Sequence, residues 1–269
     1  MSTTQVDQLS IDTLRSARQI SMRSLRMIRR LPSAFFPALM MPIFTMIAFS
    51  GTFYAVTKIP GFPTDRSINW YMPLGVLFGS SFSGIGLGFS TIRDIETGFY
   101  DRLRMSPTPR RALLIGPLFT AWMRTVILNA IVVPIGLALG VRFEGGILSF
   151  LSLFVAALGM STISLGWGLG LAYRFRDMRA AAIMQLSIFI GLYLTSAQMP
   201  LELIDGWLHH VATYNPVTYI LYLARQGLVL DGTSHDMSWG STWPGLLAIV
   251  VLSSLTLLFA RRGLDKLDK

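Results

Sequence analysis

Leu148–Tyr173 reads LSFLSLFVAALGMSTISLGWGLGLAY and holds no Asp, Glu, Lys, Arg or His. A helix needs roughly 20 apolar residues to cross the hydrocarbon core of a bilayer, and this block is longer than that. Five further blocks of the same character lie at about 33–57, 69–91, 112–140, 180–200 and 242–260. Across 269 residues the chain is 52% hydrophobic and only 14% charged, whereas a soluble domain carries about a quarter charged residues. The expected fold class is all-α: a polytopic membrane protein with six transmembrane helices.

A shorter apolar stretch at 201–225 is interrupted by Pro216, Glu202, Asp205, His209, His210 and Asn215, just after Pro200. Polar or broken backbone at membrane depth must be shielded by protein or line a cavity. The stretch therefore reads as a pair of short re-entrant helices dipping into the outer face. Orientation follows from the basic residues, which collect on the cytoplasmic side. Arg15 through Arg30, Arg93 through Arg111, Arg174 through Arg179 and Arg261 through Lys269 fall in alternate connections. The other connections hold Lys58, Arg66 and Arg142 among more numerous acids. Both termini are expected in the cytoplasm, in a cell (inner or plasma) membrane.

The formal net charge of +9 raises the question of nucleic acid. The basic residues sit in short segments between apolar blocks rather than on a soluble face, so no nucleic-acid partner is expected. With no cysteine, disulfides, thiolate metal sites and Cys nucleophiles are excluded. No short apolar core precedes the first block, so that block reads as a span, not a cleaved signal. Two regions result: a cytoplasmic leader at 1–32 and a membrane domain at 33–269.

Within the leader, Ile11, Leu14, Met22, Leu25 and Ile28 share one helical arc and Arg15, Arg23, Arg26 and Arg30 the next. That pattern suits an amphipathic helix lying on the inner leaflet; a solvated basic leader is the plainer alternative. Arg93–Pro109 is short, charged and aromatic, with Pro107 and Pro109 stopping any helix. It is either a rigid knob that receives force from a soluble partner or an ordinary loop helix on the lipid surface. Tyr173–Arg179 is a smaller version, either a second contact for such a partner or a simple positively charged turn. Gly75/Gly79, Gly84/Gly88, Gly136/Gly140 and Gly166/Gly170 stand four apart within spans, a spacing that lets helix backbones approach closely. Arg124 lies inside the third block. An intramembrane charge is a functional candidate, although a long side chain near the inner boundary can also snorkel to it.

Chemistry within the chain is sparse. No span holds an Asp or Glu pair, and His209, His210 and His235 all lie toward the outer face. No nucleophile–base set converges, so an intramembrane enzyme is not expected. His209 and His210, about 100° apart on a helix, are poor joint metal ligands. No G-x-x-x-x-G-K-[ST] loop is present, so a nucleotide would have to be held by another polypeptide. An ion-coupled secondary carrier or channel is the alternative, and it would call for buried ionisable groups where only Arg124 is found.

The Arg93–Gly116 segment resembles the signature of type-2 ABC exporter permeases, the group that includes daunorubicin-resistance-type permeases. Arg93, Glu96, Gly98, Leu103, Ser106 and Pro107 fill its R-x-x-E-x-G-x-x-x-x-L-x-x-[ST]-P pattern. Met199-Pro200, then Asn215-Pro216-Val217-Thr218-Tyr219, then Arg225 resemble the second hallmark of that family, and Arg176-Asp177 before the fifth span also fits. The resemblance implies a dimer of permeases, each held by a cytoplasmic ABC ATPase carrying the ATP and Mg, with membrane lipids around it. It implies that Glu96, Gly98, Phe99, Tyr100, Asp101, Arg102, Leu103 and Met105, with Arg176 and Asp177, dock on the ATPase. A substrate path or outer gate would then involve Gly84, Phe189, Tyr193, Gln198, Asn215, Pro216, Tyr219 and Arg225. The implied activity is outward movement of an amphipathic drug, lipid or glycolipid.

Overall fold

In hydrocarbon every backbone N–H and C=O must find its partner inside the protein, and a helix does so locally. The apolar blocks accordingly form helices in the structure, a computed structural model that describes Met22 and residues 32–99, 111–229 and 237–267. In chain order they are α1 (Pro32–Thr52), α2 (Ser67–Glu96), α3 (Ala112–Ala138), α4 (Gly146–Phe175), α5 (Arg179–Tyr193), α6 (Trp207–Tyr214), α7 (Pro216–Arg225) and α8 (Trp239–Leu267). Single 3-10 turns stand at Val56–Lys58 and Leu201–Leu203, and no strand occurs among the described residues. Helices α2, α3, α4 and α8 are long and apolar enough to cross a membrane; α1 and α5 contribute shorter apolar stretches.

Side-chain contacts give the direction of each helix. Ser50 bonds Ser67, and Pro42 meets Gly75, so α1 and α2 are antiparallel. Met72 meets Gly136, and Leu128 meets Gly79, so α2 and α3 are antiparallel too. Gly84 lies on Ser161 and Leu165 while Gly88 lies on Gly168, so α2 and α4 run parallel. Phe78 and Phe82 both pack on Phe189, and Tyr71 reaches Gln198, so α5 opposes α2. Gly159, Gly166 and Gly170 meet Ile249, Thr256 and Phe259 in turn, so α4 and α8 are parallel. The helix ends thus sort into two groups. One carries Arg93, Arg111, Arg174, Arg176, Arg179, Arg261, Arg262 and Lys266; the other carries α6, α7 and the acids Asp65, Glu144, Glu202 and Asp205.

Helix α2 is the axis of the bundle, buried along most of its length and packed chiefly on α4 and α1. Small residues make that possible. A Cβ on Gly84 would stand 2.7 Å from the Leu165 nitrogen, and one on Gly88 would stand 2.9 Å from Gly168 backbone. The glycine pairs of α2 and α4 are therefore seams within one chain. The pair Gly136/Gly140 is a correction: α3 ends at Ala138, and Gly140 sits in the following turn with φ 98°. The outer faces of α3, α4 and α8 expose Phe119, Met123, Leu151, Val155, Val250 and Leu255, an apolar girdle suited to lipid. At the end bearing α6, the exposed rings of Trp207, Tyr214, Trp239 and Trp243 form an aromatic belt of the kind found at membrane–water boundaries.

Candidate functional site

The broken piece after α5 is held by side chains that take up the main-chain groups its irregular path leaves over. Helix α5 stops at Tyr193, short of the block end at 200. The reason is Asn215, whose Nδ2 donates to the carbonyls of Gly191 (2.9 Å) and Leu194 (2.8 Å) at that helix end. Its Oδ1 accepts from the Val217 N–H at 3.0 Å, capping α7 with Pro216 at the first helical position. Asn-Pro is thus a double cap: one amide closes the helix before the piece and opens the helix after it. Thr218 and Tyr219 donate to the Ala212 (2.7 Å) and Thr213 (3.0 Å) carbonyls of α6. His209 bridges Leu201 and Ile204 through Nδ1, while the His210 ring stands edge-on to it at 85°.

Arg225 is the deepest of these fasteners, with a relative exposure of 0%. Its Nη1 and Nη2 donate to the Ser196 and Ala197 carbonyls, each at 2.8 Å, and its Nε donates to the Trp70 carbonyl at 3.2 Å. The guanidinium carbon lies 3.6 Å from the centroid of the Trp70 ring. One planar cation therefore clasps α7 to the chain after α5 and to the N-terminal end of α2. The planar, delocalised fork suits Arg and not Lys. Beside it the Tyr71 hydroxyl donates to the Gln198 carbonyl at 2.8 Å. Asn69 donates to the Arg142 and Leu228 carbonyls at 3.1 and 2.8 Å. Three consecutive residues of α2, Asn69, Trp70 and Tyr71, thereby hold the structures at this end of the bundle together.

Below this clasp runs an aromatic seam between α1, α2 and α5. Phe189 stacks on Tyr193 (6.0 Å between centroids), and Phe78 lies 5.7 and 5.3 Å from those two rings. Phe82 reaches Phe189 at 6.0 Å, and Phe49 joins Tyr71 and Tyr193. The seam brings Phe189 and Tyr193 together near Gln198, whereas Gly84 lies apart from them in the α2–α4 contact. Phe49, Phe78, Phe82 and Trp70 were not singled out from the sequence. Nothing in an apolar block distinguishes a ring that meets another helix from one that meets lipid.

At its other end α2 continues past the apolar block to Glu96. Thr97 and Gly98 close it, the Thr97 N–H reaching the Arg93 carbonyl and the Gly98 N–H the Ile95 carbonyl, both at 3.0 Å. Gly98 has φ 65°, the left-handed geometry that ends helices and costs other residues roughly 1–2 kcal/mol. The E-x-G spacing therefore fixes where the buried helix α2 stops. Phe99 follows it; Tyr100, Asp101, Arg102, Leu103 and Met105 lie outside the described residues, as does the leader helix apart from Met22. The pair Arg176-Asp177 is divided. Asp177 accepts from the Arg179 N–H at 3.0 Å and pairs with its guanidinium at 3.3 Å, whereas Arg176, at φ 55°, ends α4 and faces α8.

The ABC-2 type transporter family model matches residues 15–229. The chain belongs to the ABC-2 type transporter family. It is 23% identical to the daunorubicin resistance ABC transporter permease protein DrrB1 of Streptomyces coeruleorubidus, over 88% of this chain and 81% of that one. It is 26% identical to the probable doxorubicin resistance ABC transporter permease protein DrrC of Mycobacterium tuberculosis, over 83% and 80%. It is 24% identical to the putative transport permease ycf38 of Cyanophora paradoxa, over 72% and 67%. This ABC-2 permease is a membrane-embedded transport protein, and its family implies an ABC ATPase as partner.

Arg124, on α3, is a half-buried cation of the permease. Its Nη1 stands 3.5 Å from where a Cβ of Gly86 would be, and its Nε is buried without a hydrogen bond. At 1.5 Å per residue, the Cα of Arg124 lies near the middle of α3. A lone charge at such depth costs about 2.5–3.5 kcal/mol. Arg124→Leu should therefore raise the midpoint of thermal unfolding in detergent; a clear drop would mean that the guanidinium has a partner holding the fold.

Proposed function

We propose that this chain forms half of the membrane part of an ATP-driven exporter that moves an amphipathic drug, lipid or glycolipid outward. Six helices, α1 to α5 and α8, cross the membrane with both termini in the cytoplasm, and a second permease copy completes the pathway. A separate ATPase, holding ATP and Mg, seats on the loop that begins at Glu96 and Gly98, with Arg176 and Asp177 at its margin. The observation that supports this most is the continuity of α2. One helix of 30 residues starts at the Trp70–Arg225 clasp and ends at the Glu96–Gly98 turn, buried against four neighbours between them. A displacement applied at the loop would therefore reach the outer piece as a rigid-body shift, because a packed helix does not compress. Phe189, Tyr193, Gln198 and Tyr219 lie along the route a cargo would take beside α5, and Asn215, Pro216 and Arg225 hold the gate above it; Gly84 seats α2 for that movement.

The names of the drug-resistance relatives agree with an amphipathic cargo. The test is co-purification with the cognate ATPase, followed by transport into inside-out vesicles. Gly98→Val should leave the complex assembled and ATP hydrolysis running while transport falls by about tenfold, since roughly 1–2 kcal/mol of strain shifts the end of α2. Transport that survives ATP depletion and collapses with the proton gradient would instead indicate an ion-coupled carrier.

A further inference from the structure

At the basic end of the bundle a cleft of about 620 Å³ is lined by residues of α4 and α8. We infer that this cleft binds the headgroup of an anionic phospholipid from the inner leaflet. Its wall is graded: Tyr173 and Phe259 line it toward the bundle, while Arg174, Arg176, Arg262 and Lys266 line it toward the helix ends. That gradient matches a lipid, with acyl chains against the rings and phosphate among the cations. Gly170 and Gly263 let the two helices approach closely at the floor of the cleft. A Cβ on Gly263 would stand 3.1 Å from the Tyr173 Cβ, and Phe259 already fills the surface of Gly170.

The charge needs an occupant. None of the four cations has an ion pair among the described residues; the Arg179–Asp177 pair lies outside the cleft. Asp265 is the single acid on the wall. Helices α4 and α8 are parallel, so their C-terminal ends adjoin, and each contributes about half a negative charge. Against Asp265 and two helix ends, a surplus of about two positive charges remains. Basic residues gathered only to satisfy sidedness would spread over the surface; these converge on one volume, of the size that small-molecule sites occupy. Basic pockets between membrane helices on the cytoplasmic side take phospholipid headgroups.

The experiment uses the full-length permease with its ATPase, reconstituted in phosphatidylcholine vesicles with spin-labelled phosphatidylglycerol or phosphatidylcholine as probe. Wild type should immobilise phosphatidylglycerol in preference to phosphatidylcholine. Each cation near a membrane contributes about fivefold. Arg174→Gln with Arg262→Gln and Lys266→Gln should thus weaken the preference on the order of 100-fold. Arg262→Gln alone should weaken it about fivefold, which keeps the test open if the triple variant fails to assemble. Arg262→Lys, and Arg261→Gln beside the cleft, should keep it. A triple variant that retains the preference overturns the inference. So does loss of the wild-type preference to millimolar inorganic phosphate, which would mean a small-anion site. Release of the ATPase with lipid preference intact also overturns it, since the cations would then serve an acidic protein surface.

Discussion

Arg225→Met should destabilise the permease by about 3–5 kcal/mol and abolish transport. The methionine fills most of the volume but leaves the carbonyls of Trp70, Ser196 and Ala197 without the donors they have now. Each buried acceptor left without a partner costs about 1–3 kcal/mol. The stacking of the cation on Trp70, worth about 2 kcal/mol when desolvated, is lost as well. Arg225→Lys separates charge from geometry. Lysine keeps the charge but cannot present three in-plane donors to three carbonyls or lie flat on the indole. It should recover less than half of the loss. Thermal unfolding of the purified permease in detergent, followed by tryptophan fluorescence, reads both variants. Wild-type stability in Arg225→Lys would mean that the charge alone matters and that the clasp is not the fastener described.

Gly84→Leu is expected to have the second large effect. Its side chain would begin at the Ser161 carbonyl and 2.7 Å from the Leu165 nitrogen, both backbone atoms of α4 that cannot rotate away. The α2–α4 seam would have to open along its length, and overpacking of this kind costs about 1–3 kcal/mol or more. Gly88 meets Gly168 one turn further on, so the separation propagates. The protein should fail to accumulate in membranes, and Gly84→Ala should accumulate poorly. Gly86→Ala is the control, since its Cβ would meet only the Arg124 Nη1 at an ordinary 3.5 Å. Equal membrane levels of the Gly84 and Gly86 alanine variants, measured by immunoblot, would contradict the packing.

Much of the architecture was legible because the bilayer imposes length and composition on whatever crosses it. The apolar blocks became helices, the prolines and polar residues after the fifth block became a broken piece of short helices, and the glycines four apart in α2 and α4 became seams. The departures have identifiable causes. Helix α2 reaches Glu96 because Arg93 and Glu96 are good helix formers, which hydropathy does not register. Helix α5 ends early because Asn215, far along the chain, takes its last carbonyls. The clasp joins residues in different helices, and a pattern within one block cannot reveal what a neighbouring helix supplies. For the same reason Arg176 and Asp177, adjacent in sequence, serve different places. Glu96 and Gly98 were legible as a motif, and the left-handed turn at Gly98 supplies its physical reason.

The most direct test of α2 as a lever uses the absence of cysteine in the chain. A spin label is placed at exposed Tyr214→Cys, and the distance between the labels of the two permease copies proposed above is measured by pulsed dipolar resonance in the complex with the ATPase. Trapping the ATPase with ATP and vanadate should shift that distance in the wild-type background and leave it unmoved in Gly98→Val. A distance that stays fixed while the same sample transports, or that shifts equally in Gly98→Val, would contradict transmission through α2.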